Sequence, residues 1–155
     1  MSELRSVVEE LRSESLPDLP DARIEEDFAE LQRADELLEV ERLRRLAEID
    51  RRRLYERDGH LSCASWLAKT HKVSWGRARE LVRTARALED MPETRRALED
   101  GELSMSAVRL FVSARDADPQ MFARSEPELV QAARIHSIAD LARVTAFWRQ
   151  RLDQE

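Results

Sequence analysis

An all-α fold is predicted by three features of this sequence. Apolar residues recur with a period near 3.6, and no segment sustains the period-two alternation of a half-buried strand. Only 3 Gly and 5 Pro occur in 155 residues, too few for an all-β chain, which needs turn residues roughly every 8–12 positions. Ser, Asp or Pro stands at the head of nearly every apolar-periodic segment, where it can begin a helix. The expectation is a multi-helix domain with one long N-terminal helix and a central helix-turn-helix.

The first segment is short. Leu4, Val7, Val8 and Leu11 fall at i, i+3, i+4 and i+7, and Ser2 can cap the start. Pro17 and Pro20 each restrict the residue before them, so residues 1–20 read as a short helix and a Pro linker. Residues 21–155 are expected to form a single helical domain, opening with one long helix over 21–57. Its stripe runs through Ile24, Phe28, Leu31, Ala34 and Leu38, then shifts to Val40, Leu43, Ala47, Ile49 and Leu54, with a bend possible near residue 40. Asp21 can cap its start, and Gly59 can supply a left-handed stop. At 1.5 Å per residue this helix is roughly 50 Å long, a length usually buried by a coiled-coil partner or a long hairpin. A homodimer through the long helix is therefore expected.

A helix-turn-helix is expected over 62–88. Ser62 caps a short helix carrying Ala64, Leu67 and Ala68, residues 72–74 break it, and Ser74 caps a second helix carrying Ala78, Leu81, Val82, Ala85 and Leu88. C-terminal helices fill 92–153. Pro92 opens one at the position where its missing N–H costs nothing, and Gly101 closes it. Ser104 starts the next, with Met105, Val108, Leu110, Phe111 and Val112. Asp118-Pro119 opens a turn through Phe122, and Ser125-Glu126-Pro127-Glu128 fits a capping box for a helix to about Ile135. Ser137 and Asp140 lead a last helix with Ile138, Leu141, Val144, Phe147, Trp148 and Leu152.

The apolar fraction of 42% supports a core, and the charged fraction of 37% implies a densely charged surface. The charge is unevenly laid out. Residues 1–41 hold 4 Arg against 14 Asp/Glu, residues 42–90 hold 13 Arg/Lys against 7 acids, and residues 91–155 hold 9 against 11. An acidic chain is a poor indiscriminate polyanion binder, yet its basic middle can meet nucleic acid locally. Arg outnumbers Lys 24 to 2, so most cations are planar forks suited to phosphates and carboxylates.

No catalytic constellation can be assembled. His60 and Cys63 are spaced as half of a zinc site, and no second pair completes it, so no metal and no cofactor are expected. There is no Gly-rich phosphate loop and no nucleophile elbow. A small-molecule substrate is not expected. No apolar run approaches the ~18 residues of a membrane span, the N-terminus lacks signal-peptide features, and a single Cys points to a reducing, cytoplasmic setting.

The basic middle carries the functional expectation. In a helix-turn-helix the second helix offers its N-terminal residues to the major groove, and its open N–H groups favour phosphate. At 100° per residue, Arg79 and Arg83 lie close to the side opposite the buried stripe. They are the candidates for groove contacts. Lys72, Arg77 and the Ser74 backbone would hold phosphates, and Lys69 lies just before them. Trp75 and Gly76 complete the candidate surface. Gly76 would allow close backbone approach, while Trp66 and Trp75 are expected to serve core and hinge packing. The rival reading is a non-enzymatic oligomerisation or protein-interaction module, in which the long helix and the first helix make protein contacts.

Two resemblances favour the first reading. The runs Leu46-Ala47-Glu48-Ile49-Asp50-Arg51-Arg52, Asp58-Gly59-His60-Leu61-Ser62 and Trp66-Leu67-Ala68 resemble an actinobacterial family. So do Val73-Ser74-Trp75-Gly76-Arg77-Ala78-Arg79-Glu80-Leu81-Val82-Arg83 and Met91-Pro92-Glu93-Thr94-Arg95-Arg96-Ala97-Leu98. It is the domain of unknown function 222, or thirteen-E-twelve repeat, family, and the likeness runs from about residue 25 to Arg149. The resemblance implies a domain that commonly precedes an HNH endonuclease domain. Such a domain would begin where this chain ends, so no catalytic residue is carried over and the chain is expected not to be an enzyme. Residues 74–88, Met91-Pro92-Glu93 and Glu99-Asp100-Gly101-Glu102-Leu103-Ser104 also resemble the helix-turn-helix region of ParB-type partition proteins, with Met91 in place of Leu. That second resemblance implies double-stranded DNA as the partner.

Overall fold

The computed structural model describes residues 2–153, with side chains to residue 151. It is all-α: eight α-helices and two short 3-10 turns follow one another, with no strand among the described residues. Met1 and the side chain of Leu152 lie outside the described residues.

The chain divides into two units, residues 1–35 and 36–155. The first unit holds α1 (Ser2–Arg12), a 3-10 turn at Leu16–Asp18, and the start of α2 (Asp21–Arg51). Asp21 is the first residue of α2 and not its cap, since Arg23 and Ile24 donate their N–H groups to the Pro20 carbonyl. No described residue of this unit is buried, and Ile24, Phe28 and Leu31 are all exposed.

The second unit contains the core. From α2 it receives Val40, Leu43, Leu46 and Ala47, all buried. α2 ends at Arg51, earlier than the expected residue 57. Arg53 adopts a left-handed backbone (φ 55°) and a 3-10 turn, Leu54–Asp58, follows, closed by Gly59 at φ 79°. The break turns Tyr55 into the core, whereas a continued helix would have placed Leu54 on the stripe of Leu43 and Ala47. No Gly or Pro marks the stop, so the local sequence gives no sign of it.

α3 (Cys63–Thr70) packs on α4 (Trp75–Leu88), and α4 packs on α5 (Pro92–Glu99) and α6 (Met105–Ala117). α6 is the central helix: Val108, Phe111 and Ala114 are fully buried against α7 (Pro119–Ile135) and α8 (Ile138–Asp153). Phe122 of α7 bridges Phe111 and Trp148, with ring centroids 6.2 and 6.4 Å away. α8 faces the core through Leu141, Val144, Thr145 and Trp148. Phe147, expected in this stripe, is exposed because it lies about 120° around the helix from Leu141.

The helix starts show how the chain supplies its open N–H groups. Ser62, Ser74, Ser104 and Asp118 each accept from the N–H three residues on. Ser137 does the same for Asp140. Two caps come from a distance. Met91 offers no side-chain cap to α5, and the buried Glu126 carboxylate accepts from Thr94 N at 2.9 Å and Thr94 Oγ1 at 2.8 Å instead. Glu36 of α2 accepts from Met105 N at the start of α6, at 2.9 Å. Residues 119–135 form one helix with Pro127 inside it, not a turn followed by a capped helix. Pro127 removes one helical bond, but Phe122 and Glu126 are buried and Trp148 Nε1 donates to Ser125 Oγ, so tertiary ties hold the helix through it.

Cys63 is buried in α3. Burial, with the nearby Asp50 carboxylate, pushes its thiol up to about 11 from 9.0. The folded chain is therefore expected to resist thiol-specific alkylation at pH 8, where a denatured sample reacts fully; a mass-spectrometric time course checks this. A folded value above the unfolded one means that the thiol's contribution to stability is present below pH 9 and is lost as pH rises through about 11.

Candidate nucleic-acid interface

The turn between α3 and α4 occupies residues 71–74, in line with the expected break at 72–74. His71 N donates to Leu67 O at 3.1 Å, and Val73 N donates to Ala68 O at 3.2 Å. This second bond runs from the residue after a left-handed one back to the third-last helical carbonyl, the pattern of a Schellman stop. Ala68 and Val73, which its hydrophobic contact would join, both pack against the core. The left-handed residue is Lys72, at φ 55°. Gly would take that conformation freely, whereas a residue with a Cβ is disfavoured by about 1 kcal/mol. Trp66, half-buried, contacts His71 edge-on with centroids 5.2 Å apart.

α4 is strongly two-faced. Ala78, Leu81, Val82, Thr84, Ala85, Ala87 and Leu88 are buried. Trp75, Gly76, Arg79, Arg83 and Arg86 are exposed. Trp75 is 54% exposed, so its expected role in hinge packing is corrected: it opens the helix on the solvent side. Gly76 has open space where a Cβ would sit, so nothing within the chain requires glycine there. Ser74 Oγ accepts from Arg77 N at 3.3 Å.

The cations on this face fall into two groups. Arg83 is engaged with Asp116 of α6, its Nε 2.7 Å from Oδ2. Arg86 makes a two-point contact with Asp50 of α2, at 2.7 and 2.8 Å. Arg77 is half-buried, 3.9 Å from Glu39 and 3.7 Å from Glu80. These three pin α4 to its surroundings. Lys69, Lys72 and Arg79 are exposed and, among the described residues, have no carboxylate within ion-pair distance. Helical periodicity places Arg79 and Arg83 on one exposed face, but Asp116, 33 residues from Arg83, carries no local sign of its contact.

A groove of about 630 Å³ lies elsewhere, floored by Val40, Leu43, Ala85 and Leu88. Its rim arginines are taken up: Arg44 pairs with Glu41, and Arg51 and Arg95 pair with Glu89. Among the described residues, no three His, Cys, Asp or Glu side chains are grouped to hold a metal ion. No helix there is long and apolar enough to cross a membrane.

These features define an all-α chain whose central helix pair presents a cationic face. The model of the family described as "Domain of unknown function (DUF222)" matches residues 25–153, and the chain belongs to that family. No curated protein and no solved structure matches it.

Proposed function

We propose that this chain is a double-stranded DNA-binding module, the targeting part of an HNH-endonuclease-associated protein, acting through α3, the turn and α4 as a helix-turn-helix. One observation carries the reading: Lys69 in the last turn of α3, Lys72 in the turn and Arg79 in the second turn of α4 are exposed and, among the described residues, lack carboxylate partners, and Ser74, Trp75 and Gly76 at the start of α4 are exposed with them. Two choices that the fold does not need agree with it. Lys72 occupies a backbone position that favours Gly, and Gly76 stands in a helix where Ala would be more stable. Both make sense where a polyanion approaches closely, and non-glycine residues in this conformation concentrate at functional sites.

In this reading Arg79 reaches base edges, Lys69 and Lys72 neutralise phosphates, and the backbone at Ser74–Gly76 faces a phosphate at the helix start. Trp75 covers the adjoining sugar-phosphate surface. Arg77 and Arg83 stand at the edge of the footprint, and Arg83 joins only by leaving Asp116. The chain itself performs no reaction. A homodimer formed through the long helix would present two recognition helices to one duplex.

Lys72→Gly tests this with two readouts of opposite sign. Relief of the left-handed strain raises stability by about 1 kcal/mol, measured by urea unfolding. Loss of one phosphate contact weakens duplex binding and reduces the slope of log K against log salt by about 1. A substitution that stabilises the fold and leaves binding and slope unchanged would remove Lys72 from the interface.

A further inference from the structure

We propose that two copies of this chain meet through the apolar faces of their first units, α1 and the first half of α2. This rests on the dimer part of the reading above and is independent of its DNA part.

α1 is a helix of 11 residues with no buried residue. A helix that short is marginal in water, because nucleation costs more than so few bonds return. Its stripe of Leu4, Val7, Val8 and Leu11 is nevertheless bare, as are Leu16, Ile24, Phe28 and Leu31. Exposure in this set runs from 37% at Leu11 to 68% at Phe28. Together these side chains expose on the order of 450 Å² of apolar surface per copy. A standard interface buries about 800 Å² per partner, a little over half of it apolar. Summed over the two helices, the bare apolar area is of the size that a stable dimer buries.

The charges beside the α1 stripe indicate a second copy as the occupant. On a helical wheel, Glu3 and Glu10 lie along one edge of the stripe and Arg5 and Arg12 along the other, each pair seven residues apart. Two parallel α1 helices related by a two-fold axis bring the Arg edge of one against the Glu edge of the other on both sides. Glu9, which Arg12 reaches at 3.2 Å within one copy, and Glu26 lie on the far sides of their helices, whereas Asp21, Glu25, Asp27 and Asp35 border or enter the α2 stripe, so the charge match belongs to α1 and the α2 stripe contributes apolar area only. The α1 strip is therefore complementary to itself, although residues 1–35 hold only 4 Arg against 11 Asp/Glu.

Sedimentation equilibrium of the full chain without DNA tests the proposal. The wild type is expected to be a dimer at micromolar concentration. Val7→Gln combined with Phe28→Gln should weaken dimerisation at least about tenfold. Both side chains are exposed and belong to the unit without a core, so the cooperative melt of the second unit should not move. Arg5→Glu with Arg12→Glu, and separately Glu3→Arg with Glu10→Arg, should each weaken self-association, and an equimolar mixture of the two variants should form heterodimers. A dimer unaffected by Val7→Gln/Phe28→Gln would overturn this placement while leaving dimerisation itself in force. Failure of the mixture to pair would overturn the role given to these edge charges. A monomeric wild type would remove the dimer altogether, and the duplex titration would still stand.

Discussion

Replacing Glu126 by Ala is expected to lower stability by about 2–5 kcal/mol, because it leaves two buried donors, Thr94 N and Thr94 Oγ1, without an acceptor at about 1–3 kcal/mol each. For a chain of this length that corresponds to a fall in melting temperature of roughly 5–15 °C. Glu126 is 3% exposed and sits one residue before Pro127, so water cannot readily take its place. Its loss uncaps α5 and frees α7 to break at the proline. Glu128, exposed on the same helix, provides the control, and Glu128→Ala should leave the melt unchanged. Glu126→Gln keeps an acceptor oxygen and should fall between the two. Thr94→Val removes a donor without orphaning the carboxylate from Thr94 N, so it should cost less than Glu126→Ala. Equal melting of Glu126→Ala and wild type would show that the α5–α7 contact does not depend on this carboxylate.

The second large effect concerns binding. Arg79→Ala should weaken duplex binding by about 1–3 kcal/mol, the cost of losing one base-edge contact, and should leave stability unchanged because Arg79 is exposed. Arg83→Ala should behave in the reverse way. Its pairing with Asp116 lies at the surface, with side-chain exposures of 53% and 38%, so its loss costs stability at most about 1 kcal/mol. Its effect on DNA should be smaller than that of Arg79→Ala. Parallel unfolding and anisotropy measurements on the two variants separate these outcomes. A larger binding loss for Arg83→Ala would mean that Arg83 leaves Asp116 on DNA and takes the leading contact.

Features fixed by neighbouring residues were legible in the sequence, and features fixed by distant ones were not. The Ser caps at 62, 74 and 104, the stop at Gly101 and the buried stripe of α4 all follow from residues within one or two turns of each other. α2 ends before its periodic stripe does because Arg53 takes a left-handed conformation that local rules assign to Gly. Residues 125–128 carry the local preference of a helix start, Ser-x-x-Glu beside a proline. The contacts that override it come from Thr94 and Trp148, distant in sequence. The candidate site divides in the same way. Helical periodicity places Arg79 and Arg83 on the exposed face, but only the fold brings Asp116 of α6 to Arg83 and Asp50 of α2 to Arg86. Trp75 is exposed where an aromatic at a helix start usually packs, because the core is closed by Ala78, Leu81 and Val82 without it.

The open face of α4 is expected to bind duplex DNA. Titration of a labelled random-sequence duplex with wild type and Arg79→Ala at low salt tests it most directly, since electrostatic binding is least screened there. The expected result is saturable wild-type binding that weakens steeply as salt is raised, with Arg79→Ala weaker by about 1–3 kcal/mol at every salt concentration. No binding by the wild type at low salt, or binding by Arg79→Ala equal to that of the wild type, would contradict the claim.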